Sequence, residues 1–238
     1  MEERKKAEQK LFYEANHDAL TGLANRQLFL QQLKQQFALS KRQPQHKIAL
    51  LFIDLDRFKL INDTLGHHIG DAFLIEVSKR LQTAVREHDL VSRLGGDEFV
   101  VLCEDLDPES ASGVITDLAE RLLTSIDQPM MIKGQSIRVS ASVGVSINGG
   151  SDKAAGMLRD ADAAMYRAKG QGRDRCALFD EEMREDAKKR IVTTAESIAA
   201  SSGAKARVSF GPVAYPVTTN HAALTEASLI ADFGPRLG

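Results

Sequence analysis

The sequence predicts an α+β domain in which helices cover one mostly antiparallel sheet. Three observations carry that expectation. Short apolar runs at residues 48–53 and 99–103 are too brief for buried helices and read as strands. Longer stretches between the runs place apolar residues at helical spacing. Between residues 91–94 and the second run stands Arg93-Leu94-Gly95-Gly96-Asp97-Glu98-Phe99, whose two glycines favour a tight hairpin.

In chain order, residues 2–16 are charged and helix-prone, with a weak stripe of Leu11, Phe12 and Ala15. Thr21-Gly22 breaks that helix, and Asn25 caps the next one, which carries Phe29, Leu30, Leu33 and Phe37 on one face. Residues 40–46 form a polar loop around Pro44. The run at 48–53 fits a strand buried on both faces, ending in Asp54-Leu55-Asp56. From Ile69, apolar residues at Phe73, Val77, Leu81 and Val85 mark a long amphipathic helix. Pro108 opens a further helix with a stripe of Ala111, Ile115, Leu118, Leu122 and Ile126, and Pro129 ends it. Residues 130–132 and 137–139 flank Lys133-Gly134-Gln135-Ser136 as a second, smaller hairpin. Residues 140–148 alternate as a strand, 154–168 form a helix, and 176–179 make a terminal strand.

Composition limits the function classes. Apolar residues make up 43% of the chain, enough for a real core, and the net charge of -2 implies no general or direct nucleic-acid binding. Cys103 and Cys176 lie in or beside strand candidates and read as buried thiols. No run is long enough to span a membrane, and the charged N-terminus does not resemble a signal peptide. A cytoplasmic location is therefore expected, within a parent protein that could itself be membrane-anchored. Residues 191–238 are rich in Ala, Ser, Thr and Gly, hold Pro212, Pro216 and Pro235, and show no sustained period.

Some residues point to chemistry, each beside a plainer reading. Asp97 and Glu98 on the glycine turn repel each other unless a cation or strong donors are present; acidic turn residues also suit an ordinary hairpin. Asp54 and Asp56 at a strand end offer hard oxygen donors for magnesium; Asp also starts helices. Lys169, Arg173 and Arg175, around Gly170 and Gly172, complement a helix dipole or hold phosphate. Arg86 and Asp89 have the spacing of a helix-end ion pair.

The segment Arg93 to Phe99 resembles the signature of the diguanylate cyclase family, the GGDEF domains. Several further motifs stand in the family's order. Asp18-Ala19-Leu20-Thr21-Gly22-Leu23 with Asn25-Arg26 resembles its opening. Phe52 to Lys59 with Asn62-Asp63, then Gly66-His67 with Gly70-Asp71, resemble its next blocks. Ser142-Val143-Gly144 and Ala161-Asp162-Ala163-Ala164-Met165-Tyr166 with Ala168-Lys169 complete the pattern, over about residues 16–179.

The resemblance implies a nucleotidyl-cyclase-like fold with a central five-stranded, mostly antiparallel sheet surrounded by helices. It implies a domain at 17–180, after a linker helix at 1–16 and before a linker-like helix and tail at 181–238. The implied activity condenses two GTP into cyclic di-GMP and releases pyrophosphate, with Mg²⁺ or Mn²⁺ as cofactor and two subunits facing each other as a homodimer. By family position, Asp54, Asp97 and Glu98 are the catalytic acids and, with the carbonyl of Leu55, the metal ligands. Glu98 is either a metal ligand or a general base. Gly95, Gly96, Lys59, Lys169 and Arg173 correspond to phosphate-contacting positions, and Asn62 and Asp71 to guanine readers. Asp174 departs from the family, which often has Asn there. Arg86 and Asp89 correspond to an inhibitory site for the product. Residues 179–184 resemble a link to a phosphodiesterase EAL domain; no Glu-Ala-Leu module follows, so no phosphodiesterase activity is expected of this chain, while a parent protein has room for fused sensory or EAL domains.

Overall fold

Strand β1 (Lys47–Leu55) is buried along its whole length after the first residue, because helices pack on both faces of the sheet it centres. The computed structural model describes residues 10–43, 45–148, 153–180, 183, 207–209 and 214–216. The chain divides into two units, Met1–Asp180 and Glu181–Gly238. In the second unit, strands over Arg207–Ser209 and Ala214–Pro216 pair antiparallel.

In the first unit, helix α1 covers residues 10–16, followed by α2 (Arg26–Arg42) and β1. Next come α3 (Phe58–Leu65), α4 (His67–Ala84), β2 (Leu90–Gly95) and β3 (Glu98–Leu106). Helix α5 (Ala111–Asp127), β4 (Met130–Ile132), β5 (Gln135–Ile137), β6 (Ala141–Ile147), α6 (Ala154–Gly170) and β7 (Arg175–Leu178) complete it. The main sheet has the order β2-β3-β1-β6-β7. All its neighbours are antiparallel except β6 and β7. That parallel pair requires a crossover, which α6 supplies. The expected five-stranded, mostly antiparallel sheet is present.

The period of two along β1 sorts its side chains into two cores. Ala49, Leu51, Ile53 and Leu55 join Phe73, Val77 and Leu81 of α4 and Ile115, Leu118 and Leu122 of α5. Ile48, Leu50 and Phe52 join Phe29, Leu33 and Phe37 of α2 and Met157, Ala161 and Met165 of α6. Each large side chain so buried contributes roughly 1.5–3 kcal/mol. Asp54 follows Phe52 by two residues, so it belongs to the face that α6 covers. Helix α6 lies very close to the sheet at Gly144, where a Cβ would overlap the backbone of Ala161 and Met165.

Several local expectations need correction. The first helix ends at residue 16, before Thr21-Gly22. Those residues close a turn instead, with the Gly22 N–H donating to the Asp18 carbonyl. The part of this helix expected before residue 10 lies outside the described residues. The small hairpin turns over two residues, Lys133 (φ 49°) and Gly134 (φ 83°). Positive φ at both central positions gives the tight turn whose twist matches a hairpin, so its second strand is Gln135–Ile137 and not 137–139. Cys176 is only half-buried, while Cys103 is buried as expected. Helix α3 has no counterpart among the sequence expectations. It begins after Arg57, a non-glycine residue at φ 58°. Asn25 does cap α2, its side chain accepting from the Leu28 N–H at 3.0 Å.

Candidate active site

The pairing of β1 with β3 sets Asp54 directly opposite Glu98. Both lie at the strand ends, on the α6 face. Asp97 sits in the adjoining turn, and its carbonyl accepts from the Leu55 N–H at 3.3 Å. The turn needs its glycines for backbone conformation: Gly95 has φ 150° and Gly96 has φ 52°. Side-chain sterics do not demand them, because a Cβ at either position meets nothing within 4 Å.

Burial and mutual repulsion dominate the electrostatics of the acids. Burial pushes the Asp54 carboxyl above its ordinary value, and Asp97 and Asp56 add to the rise. Lys169 opposes it, with Nζ 2.7 Å from Asp54 Oδ1. Glu98 is likewise raised by burial first, then by Asp54, Asp162 and Asp97. Crowded, partly dehydrated carboxylates of this kind are relieved by a cation.

The donor set fits a small hard ion. Among the described residues no three His, Cys, Asp or Glu side chains form a ready coordination cluster. Mg²⁺ commonly takes one or two carboxylates and completes its shell with water and substrate phosphates. Asp54, Asp97 and Glu98, with the Leu55 carbonyl, could hold it in that manner.

Asp56 has a different role from Asp54. It is buried, and its two oxygens accept from Ser140 Oγ, Ser142 Oγ and the Asp174 N–H at 2.8, 2.8 and 3.2 Å. Arg173 Nε stands 3.7 Å from Asp56 Oδ1. Asp56 thus ties the segment after α6 to the end of β1. A cleft of about 310 Å³ opens here, lined by Asp56, Arg57, Arg138, Arg173 and Asp174 among others. Asp174 has φ 49°, a left-handed conformation that Asn and Asp tolerate better than most residues. Lys59 is exposed on the first turn of α3.

Asn62 and Asp71 lie on the two sides of the junction of α3 and α4. Gly66, at φ 84°, closes α3 by donating to the Asn62 carbonyl and opens α4. Gly70 then lies against the Asn62 side chain, so that a Cβ there would overlap Asn62 Oδ1. Asp71 is the next residue and is exposed.

Arg86 and Asp89 line a separate cleft of about 250 Å³, with Cys103 of β3 and Asp117 and Arg121 of α5. The plainer reading, a side-chain ion pair between them, does not hold. Asp89 Oδ2 accepts from the Arg86 backbone N–H at 3.0 Å, and the Asp89 N–H donates back to the Arg86 carbonyl. The carboxylate therefore closes the turn after α4, and the guanidinium makes no ion pair with it.

Sequence reasoning missed Arg93. Its Nη1 meets both Asp18 oxygens at 3.0 and 3.2 Å, while Nε and Nη2 donate to the Gly96 carbonyl at 3.0 and 2.7 Å. The only available signal was that Arg93 and Asp18 each stand inside a motif that resembles the family's.

The comparisons with known proteins agree with this geometry. The family model described as "Diguanylate cyclase, GGDEF domain" matches residues 15–175. The bifunctional diguanylate cyclase/cyclic di-GMP phosphodiesterase MucR of Pseudomonas aeruginosa is 42% identical over 78% of this chain. The match spans only 27% of MucR. A solved structure comprising only the GGDEF domain of TpbB, also from Pseudomonas aeruginosa, is similar with a TM-score of 0.67 and 37% identity. The similarity covers 72% of this chain and 99% of that one. The GGDEF domain of DgcB from Caulobacter crescentus, solved in complex with cyclic di-GMP, gives a TM-score of 0.64 and 26% identity. It covers 69% of this chain and 93% of that chain. A family match that spans four of the five sheet strands and their glycine turn, together with solved GGDEF domains of the same fold, places the chain in the diguanylate cyclase GGDEF-domain family.

Proposed function

We propose that this chain condenses two molecules of GTP into cyclic di-GMP and releases pyrophosphate. The observation that carries the reading is the cross-strand carboxylate pair Asp54–Glu98 beside the glycine turn, with Lys169 against it. In each half-reaction the 3′-oxygen of one GTP forms a bond to the α-phosphorus of the other. The bond from that phosphorus to the bridging oxygen breaks, and pyrophosphate leaves. The proton of the 3′-hydroxyl passes to Glu98 or to water. Bound Mg²⁺ or Mn²⁺ supplies charge neutralisation at the α-phosphate.

The remaining roles are those that the family resemblance assigns. Asp54, Asp97 and Glu98, with the Leu55 carbonyl, hold the cation. Gly95 and Gly96 keep the turn open to phosphate, and Lys169, Arg173 and Lys59 supply positive charge. Asn62 and Asp71 read guanine: Asp accepts from its N1–H and N2–H₂ edge, and Asn offers both a donor and an acceptor. Each subunit carries one GTP, so two copies must meet face to face, and activity per mole should rise with protein concentration until dimers saturate. Residues 17–180 form the catalytic domain, preceded by the segment at 1–16 and followed by 181–238. The chain spans about a quarter of the length of MucR, and we place it within a longer cytoplasmic or membrane-anchored signalling protein.

Incubation with GTP and Mg²⁺ or Mn²⁺, followed by product chromatography, tests the reading. Cyclic di-GMP should form from GTP, with no cyclic dinucleotide formed from ATP. GTP consumption without that product at micromolar protein would defeat it.

A further inference from the structure

Lys169 makes a contact that a phosphate-binding lysine does not need. Its Nζ lies 2.7 Å from Asp54 Oδ1, with side-chain exposures of only 26% and 12%. The same carboxylate stands opposite Glu98, at the point the proposed cation occupies. An oxygen that accepts a charge-assisted hydrogen bond at this distance directs electron density at the ammonium. A divalent ion needs that density at about 2.1 Å, and two cations on one carboxylate repel strongly where water is scarce.

The surroundings decide which partner can move. The backbone of α6 is fixed, because Gly144 of β6 sits against Ala161 and Met165 without room for a Cβ. The lysine side chain is a flexible four-carbon stem and can swing. The neighbouring pair differs. Arg173 stands 3.7 Å from Asp56, whose oxygens already hold Ser140, Ser142 and the Asp174 N–H. Asp56 is therefore committed to the fold, and the pairing of Asp54 with Lys169 is the exchangeable one.

We propose that Lys169 is an exchangeable counter-ion that competes with the divalent cation for Asp54. The proposal rests on the reading of Asp54 as a metal ligand. The ammonium keeps the carboxylate paired, so a divalent ion alone binds weakly. Nucleotide phosphates draw the ammonium away and leave Asp54 to the ion. Metal and nucleotide therefore bind with positive coupling, which is reciprocal.

Titration of the protein with Mn²⁺ alone, read as free Mn²⁺ by electron paramagnetic resonance, tests this. Lys169→Gln should bind Mn²⁺ about tenfold or more tightly than wild type. Lys169→Ala should do the same, and serves if the glutamine variant folds poorly. Lys169→Arg keeps the charge and should show no gain, and adding Asp54→Asn to Lys169→Gln should remove it. 3′-Deoxy-GTP lacks the attacking hydroxyl. It should tighten Mn²⁺ binding to wild type by a larger factor than to Lys169→Gln. Equal or weaker Mn²⁺ binding in folded Lys169→Gln and Lys169→Ala, or no measurable binding to either, overturns the exchange. A gain in those variants, with wild type making no cyclic di-GMP, sustains the exchange and overturns the cyclase reading instead.

Discussion

The Arg93 guanidinium joins Asp18 to the glycine turn, contacting both carboxylate oxygens on one side and the Gly96 carbonyl on the other. The pair is mostly withdrawn from solvent, with Arg93 at 10% exposure and Asp18 at 22%. Thr21 adds two hydrogen bonds to Asp18 Oδ1, from its backbone N–H and its hydroxyl. One side chain thus fixes both the segment after α1 and the conformation of Gly95-Gly96. Arg93→Ala leaves Asp18 short of a partner and frees the turn. It should cost about 2–3 kcal/mol of stability and reduce turnover as well. Asp18→Asn keeps part of the hydrogen bonding and should cost about 1 kcal/mol. Denaturant unfolding of both single variants and the double variant checks this. A coupling below about 0.5 kcal/mol would show that the contact holds nothing.

Asp18 and Glu98 should respond to pH in opposite directions. Burial raises the Asp18 carboxyl, but hydrogen bonds from Thr21 and Arg93, with the charge of Arg93, outweigh it and hold the group below 3.8. The stability it contributes is present above its unfolded value and is lost as pH falls through the folded one. Glu98 is raised above 4.5, by burial first. The folded state holds that proton more tightly, so Glu98 costs stability as pH rises through its folded value. Melting curves in chelator should therefore show Asp18→Asn less stable than wild type near neutrality. Glu98→Gln should be as stable or more stable there, yet inactive. Both differences should shrink in acid, that of Glu98→Gln below 4.5. A Glu98→Gln protein that melts well below wild type at neutral pH would contradict this account of the acids.

What the sequence discloses here is local, and what it conceals is mostly long-range. Strand β1 was legible because eight consecutive buried residues leave an apolar run. The hairpin of β2 and β3 was legible because two such runs flank Gly95-Gly96. Asp54, Asp97 and Glu98 were legible as strand-end and turn acids and Lys169 as part of a basic cluster, and the family resemblance added Asn62 and Asp71. Asp56 looked like a second metal acid and is instead the acceptor for Ser140, Ser142 and Asp174, more than eighty residues away in the chain. Arg93 and Asp18 are separated by 75 residues, and nothing in either neighbourhood announces their contact. Helix α3 was missed because eight residues offer too few turns for a periodic stripe.

Gly70 controls where Asn62 points. A methyl group at Gly70 would collide with Asn62 Oδ1 and come close to Phe58. The obstructing atom is the end of a side chain that can rotate away, so Gly70→Ala should cost only about 1–2 kcal/mol. Displacing Asn62 removes a partner from the guanine edge, so apparent GTP affinity should fall by about tenfold or more. Discrimination against ATP should weaken with it. Steady-state kinetics with both nucleotides, beside a melting curve, measures the three effects. Unchanged KM for GTP in the folded variant would remove Asn62 from base recognition.

Feedback by the product should run through Arg86 without touching the active site. Asp89 spends one carboxylate oxygen on the turn, accepting from the Arg86 N–H. The Arg86 guanidinium makes no ion pair with Asp89 and lines the cleft with Arg121. Arg121 is already committed, since its Nε and Nη2 donate to the Ala84 carbonyl at 3.0 and 2.7 Å. Arg86 is therefore the cation on this surface best placed to meet a guanine Hoogsteen edge or a phosphate. Because the backbone of Arg86 makes the turn contact, Arg86→Ala should leave stability within about 0.5 kcal/mol of wild type. The initial rate should be preserved and inhibition by added cyclic di-GMP relieved. Asp89→Ala, in contrast, breaks the turn itself and should lower the melting temperature as well as relieve inhibition. Progress curves with added product, run on both variants, separate the two. Inhibition that persists unchanged in folded Arg86→Ala would place the product elsewhere.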